Sequence, residues 1–316
     1  MKIVVLAGGV GGARFLTGVR AYAAERPGDV TAVVNAGDNV TLHGLRICPD
    51  LDTVMYTLGG GADPQRGWGR AGETWTVKAE LAAYDGDAGW FGLGDRDLAT
   101  HLVRTRLLAA GRSLSEVTAE LCRRWRPGVT LLPATDDPFE THVVTPDGTM
   151  HFQEWWVRYR GAAPVDRFEF AGAAAATPAP GVIEAIAGAD LVLLGPSNPV
   201  VSIGPILAVP GIRAAIAATP ARVVGLSPVI GGAPVLGMAD RCLAAIGVPC
   251  TAAGVGAHFG ARAAGGLLDG WLVDVADAGT RVAGLPVRAV PLWMHDTAHT
   301  VAMVAAAADL GGTAGR

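Results

Sequence analysis

Residues 2–7 (Lys-Ile-Val-Val-Leu-Ala) are apolar almost throughout, without alternation, the pattern of a strand buried on both faces. Gly8, Gly9, Gly11 and Gly12 follow and are expected to turn the chain. Apolar residues then recur at Phe15, Leu16, Val19 and Ala23, one face of a helix from Arg14 to about Glu25. Residues 30–35 form a second apolar strand, ending in Asn-Ala-Gly-Asp-Asn, and residues 50–58 read as a helix. The opening is therefore a βαβ unit with its glycines at the carboxyl end of the first strand.

A glycine-rich polar stretch then leads into three helical patterns between residues 74 and 125, with no convincing strand. Strand character returns at 128–135 and again over 141–159, the latter with a Pro-Asp-Gly-Thr turn. Helix, buried strand and glycine-rich loop then alternate to the end. These elements predict an α/β fold: a Rossmann-like three-layer core with a mostly parallel sheet over 1–60 and 128–316, interrupted by a helical insertion over 61–127. Loops 8–14, 35–39, 195–204 and 227–232 follow apolar strands and are expected at one edge of the sheet, where ligands bind.

Composition narrows the class. The chain has 316 residues, half of them hydrophobic, enough for a sizeable core. A net charge of −4 argues against a dedicated nucleic-acid surface. No apolar run approaches the ~20 residues of a membrane span, and the N-terminus has no signal-peptide pattern, so no membrane is expected and the location is read as cytoplasmic. The four cysteines form no Cys-x-x-Cys pair and are expected to be reduced.

The glycine loop is neither a dinucleotide fingerprint, since Arg14 stands where the third glycine belongs, nor a Walker A loop. A glycine turn running into a helix still suits a phosphate, with Arg14 as a charged fork. On that reading a side chain at Gly11 blocks the phosphate with little loss of folding. Asp38, Asp50 and Asp52 supply hard oxygen ligands for Mg²⁺ beside a phosphate, the alternative for Asp50 and Asp52 being helix capping. Ser197 and Asn198, among prolines and glycines after a buried strand, suit a nucleotide base or phosphate. Asp136, Asp137 and Glu140 read as a solvated turn, and His295 and His299 lack a third zinc ligand.

Taken together, the segments LAGGVGGARFL, NAGDN…HGLRICPDLDTVMYTLGG, WTVKAEL…GDRDLATH, LLPATDDPFETHV, FQEWWV, GPSNPVVSIGPIL and SPVIGG resemble the 2-phospho-L-lactate transferase family, of the CofD and FbiA type, and its actinobacterial branch most. The resemblance spans nearly the whole chain. It implies transfer of a phospholactyl or phosphoenolpyruvyl unit from a guanosine diphosphate-linked donor to the deazaflavin Fo, with release of GMP, formation of a precursor of coenzyme F-420, and a requirement for Mg²⁺. It implies Asp38 at the metal site and Asp50 and Asp52 near metal and deazaflavin; within that frame Asp38 and Asp52 are expected to bind the metal, Asp50 to meet the Fo hydroxyl, and Asp50, Asp52 and Arg14 to be catalytic. Donor contacts fall to Gly8, Gly9, Gly11, Gly12, Ser197 and Asn198, and Arg96 is placed near the deazaflavin. The family also suggests a homodimer. Two departures stand out: Asn39 replaces a second aspartate, and the region of Leu236 lacks a basic residue frequent in relatives. Other readings are a YvcK-type nucleotide-sugar-binding regulator and, disfavoured by the broken fingerprint, an NAD(P)-dependent oxidoreductase.

Overall fold

The computed structural model describes residues 1–84 and 89–310. Residues 85–88 of the expected insertion and 311–316 of the expected core lie outside the described residues. Within them, seven short apolar strands build one parallel sheet: β1 (Ile3–Ala7), β2 (Val30–Val34), β3 (Thr130–Pro133), β4 (Leu191–Leu194), β5 (Arg222–Leu226), β6 (Gly270–Val273) and β7 (Val287–Ala289). Their spatial order is β7-β6-β5-β4-β1-β2-β3. The chain runs outward through β1, β2 and β3, then returns to start the other half with β4 beside β1. That reversal is the topological switch point, and it opens a crevice at the carboxyl ends of β1 and β4.

The sheet separates two apolar cores because successive side chains alternate faces. Val4 and Leu6 of β1 point into one core, with Trp155, Ile206 and Phe259. Ile3, Val5 and Ala7 point into the other, with Phe15, Val54 and Val304 from α1 (Gly9–Ala24), α2 (Pro49–Leu58) and the C-terminal helix Thr297–Leu310. Between α2 and β3 lie the three expected helices, α3 (Thr76–Tyr84), α4 (Asp97–Ala109) and α5 (Leu114–Trp125). α5 opens with a Ser113–Glu116 capping box and sends Leu114 into the core shared by α1 and α2.

Two elements differ from their expected bounds. The first helix starts at Gly9, not Arg14, with Gly8 as its extended N-cap, so the glycines form its first turn. The 141–159 stretch is strand only in part. Glu140–Thr145 and Gly148–His151 pair across the expected turn and join Arg167–Ala171 in a separate antiparallel sheet. Beyond them Glu154–Arg158 is helical. Phe152, Trp155 and Trp156 have the i, i+3, i+4 spacing of a helix face, and the first two are buried.

The glycine turn is bare for packing reasons. A Cβ at Gly11 would stand 2.8 Å from the Pro196 carbonyl oxygen, and one at Gly12 would stand 2.6 Å from Ser197 Oγ. The expectation that Gly11 tolerates a side chain in folding is therefore overturned: the β4 loop occupies that space. Gly11→Ala is expected to destabilise the protein by about 1–3 kcal/mol, the usual range for overpacking, measured as a lower urea midpoint. An unchanged midpoint would contradict this packing role.

Candidate active site

The carboxyl ends of β1, β2, β4 and β5 open into a cavity of about 600 Å³, within the range of small-molecule sites. All four loops singled out in the sequence reach its wall, through Gly8–Gly11 and Arg14, Asp38, Pro196–Asn198, and Ser227–Pro228.

At its centre Asn35, the first residue after β2, fixes two carboxylates. Its Oδ1 accepts the Gly37 N–H at 2.7 Å, which turns Nδ2 the other way. Nδ2 then donates to Asp38 Oδ1 and to Asp50 Oδ2, each at 2.9 Å. Gln153 Nε2 donates to Asp38 Oδ2 at 3.1 Å. Both aspartates are 5% exposed. Burial, and then the Asp50 charge, push the Asp38 pKa well above the carboxylate range. Burial raises Asp50 to about 6, against the opposing pull of Asn35 and the Gly9 N–H. Two hard oxygen donors that repel each other in a dry site fit a divalent cation that keeps ligand positions for phosphate. Among the described residues no cluster of three or more histidine, cysteine or carboxylate groups suited to a metal is present.

Asp52 is differently placed. Both of its oxygens face the buried guanidinium of Arg104 on α4, Nη1 to Oδ2 at 3.0 Å and Nη2 to Oδ1 in close contact. The structure therefore pairs Asp38 with Asp50, not with Asp52, whose charge is already matched. Nor does Asp50 or Asp52 cap α2: the N-cap is Cys48, with no side-chain cap bond.

Asp50 also explains Gly8, because a Cβ there would lie 2.6 Å from Asp50 Oδ2. The start of α1 thus faces a carboxylate of the protein itself. Ser197 Oγ donates to the Gly8 carbonyl at 2.8 Å and accepts the Gly8 N–H at 3.1 Å, lacing the β1 and β4 loops together. Asn198 Oδ1 accepts the N–H groups of Val200 and Val201. Both residues line the cavity, with these atoms engaged locally. Arg14 lies on the wall and is exposed. Among the described residues no carboxylate pairs with its guanidinium.

Arg96 stands off the cavity. It is exposed, its Nη1 donates to the Ala71 carbonyl at 3.2 Å, and it is absent from the cavity wall. It stands just ahead of α4, and its side chain ties down the preceding loop. The same motif instead delivers Asp97, with His101 one turn later, to a cavity that Trp68 and Phe91 also line. The i, i+4 spacing of Asp97 and His101 was the available signal. Asn39 is buried off the cavity wall, whereas Leu236 is half exposed on its rim.

The model of the family described as 2-phospho-L-lactate transferase CofD matches residues 3–299. The chain belongs to this family. It is therefore a transferase. Proteins named phosphoenolpyruvate transferase are similar along their whole length: 59% identity in Mycolicibacterium smegmatis, covering 99% of both chains, and 60% in Thermobifida fusca, covering 98% of both. A third, from Nocardia farcinica, is 60% identical over 98% of this chain and 95% of its own. Two crystal structures of a Bacillus halodurans protein, one described as a member of the UPF0052 family, share the fold. Each has a TM-score of 0.61, at 19% and 18% identity, over 97% and 96% of this chain and 98% of theirs.

The pair sets a pH dependence. A carboxyl whose pKa is raised by folding binds its proton more tightly in the native state. That contribution is complete below the unfolded value near 4 and is lost as pH rises through about 6. Without ligands, Asp50→Asn is expected to be more stable than the parent protein at pH 8, by up to about 3 kcal/mol, with the difference closing near pH 4. Thermal denaturation across pH checks this, and a variant less stable at pH 8 would contradict the buried, unneutralised pair.

Proposed function

We propose that this transferase moves a phosphoenolpyruvyl group from a guanosine diphosphate-linked donor to the ribityl hydroxyl of the deazaflavin Fo, releasing GMP and forming the dehydro precursor of coenzyme F-420. The observation that carries the reading is the Asp38–Asp50 pair at the switch point, in a cavity lined by the glycine turn and by Trp68 and Phe91 of the insertion. Relatives at 59–60% identity named phosphoenolpyruvate transferase favour the enolpyruvyl donor over the lactyl one.

The acceptor oxygen forms a bond to the phosphorus bearing the enolpyruvyl group. The bond from that phosphorus to the bridging oxygen breaks, and the oxygen leaves with GMP. The hydroxyl proton passes to a carboxylate oxygen of the Asp38–Asp50 pair. Asp38 and Asp50 would also hold Mg²⁺, which supplies charge neutralisation at the donor phosphates. Arg14 and the backbone of the glycine turn add positive potential on the donor side. Asp52 holds α2 against α4 through Arg104, so that Asp50 keeps its aim.

The test is mass spectrometry of the products from Fo, Mg²⁺ and each donor. The expected result is equimolar GMP and an enolpyruvyl-phosphorylated deazaflavin, with the lactyl donor slower. Donor hydrolysis with Fo unchanged would contradict the assignment.

A further inference from the structure

The strand Gly148–His151 ends where a helical turn begins at Phe152 and runs into Glu154–Arg158. The first N–H groups of such a turn have no partner within it. His151 Nδ1 accepts that of Gln153, at 3.0 Å, the place that a serine or asparagine oxygen commonly fills. Either of those residues would serve the turn. A histidine carries a second nitrogen on the far side of its ring. Here Nε2 lies 3.2 Å from the carbonyl oxygen of Asn39, the residue next to Asp38.

The two partners fix the proton. A backbone N–H only donates, so Nδ1 is bare; a carbonyl only accepts, so Nε2 carries the hydrogen. The ring is therefore the neutral Nε2–H tautomer. Burial favours that neutral form most, and His142 and Arg46 add to it, against Glu140 and the Asn39 carbonyl. The bonds close a ring through four residues. Asn39 accepts from His151, His151 accepts the Gln153 N–H, and Gln153 Nε2 donates to Asp38 Oδ2 at 3.1 Å. The peptide bond from Asp38 to Asn39 completes it. Gln153 lines the cavity and His151 stands behind it, off the wall.

We infer that His151 is a positioning residue for the transfer: by tying the Asn39 carbonyl to the start of the Gln153 turn, it sets the span across which Gln153 holds Asp38, and so the direction in which Asp38 faces the cavity. This rests on Asp38 being a cation-holding carboxylate of the transferase. Asp38 takes one N–H on each oxygen, from Asn35 and from Gln153. Asn35 is locked within its own loop by Gly37. Gln153 comes from a different segment, and its amide is aimed only as well as its backbone is placed. Groups that orient a metal-ligating side chain commonly change affinity or activity by about 10- to 100-fold when removed.

Two variants separate capping from tethering. His151→Asn keeps an oxygen for the Gln153 N–H but loses the reach to Asn39. Gln153→Met removes the amide that holds Asp38. Each is expected to weaken Mg²⁺ binding in the presence of GDP by about 10-fold and to lower kcat at saturating Mg²⁺, while the KM for Fo and the far-UV circular dichroism stay those of the parent protein. The double variant is expected to bind Mg²⁺ no more weakly than Gln153→Met alone, because both changes act on one bond. Parental Mg²⁺ affinity and kcat in His151→Asn would overturn the inference and leave the histidine a cap. Defects that multiply in the double variant would overturn it too, and in both cases the transferase reading stands. No Mg²⁺ binding by the parent protein with GDP would overturn the cation assignment and the inference together. Nitrogen-15 NMR of the parent protein reads the ring without any variant: at pH 7 His151 is expected to show a bare Nδ1 and a protonated Nε2. The opposite tautomer, or a ring protonated on both nitrogens, would overturn the inference.

Discussion

One amide holds the site together. Asn35 leaves β2 at the switch point, is locked by the Gly37 N–H, and donates to two carboxylates that would otherwise repel each other. Asp38 comes from the loop after β2 and Asp50 from the first turn of α2, so the bridge joins two segments that converge only in the folded sheet. Removing charge repulsion from such a pair is stabilising, and keeping it ionised is not. The site therefore carries a built-in conflict of the kind expected where function overrides stability.

The surrounding parts serve that conflict. The glycine turn is bare, so Asp50, Pro196 and Ser197 can close on it within contact distance. Ser197 laces the turn to the β4 loop in both directions. Behind Asp50, the buried Asp52–Arg104 pair clamps α2 to α4, with both partners nearly out of water. Breaking one partner of such a pair leaves an uncompensated charge. The clamp therefore fixes both where Asp50 points and where α4 presents Asp97 and His101.

Much of this was legible in the chain. Continuous apolar runs gave the parallel strands, and the loops after them marked the cavity edge. Asp38 and Asp50 were visible as carboxylates near a glycine turn. Which aspartate faces which partner was not, because Arg104 lies 52 residues from Asp52 and only the fold brings them together. Asn35 was overlooked for a similar reason: an amide at a strand end carries no local signature of two distant acceptors. Arg96 misled because its motif does reach the cavity, through its neighbour Asp97 and through His101. The helical turn at Glu154–Arg158 was hidden by a preceding hairpin that set a strand expectation.

Asp38 and Asp50 are expected to bind a cation as one pair and to give up a proton in doing so. Calorimetry of Mg²⁺ binding in the presence of GDP, near pH 6 where Asp50 titrates, in buffers of different ionisation enthalpy, tests it directly. Mg²⁺ binding by the parent protein is expected to release a substantial fraction of one proton, and Asp50→Asn is expected to lose both the tight binding and much of the release. Mg²⁺ binding of equal strength and equal proton release in the parent protein and Asp50→Asn would contradict the account.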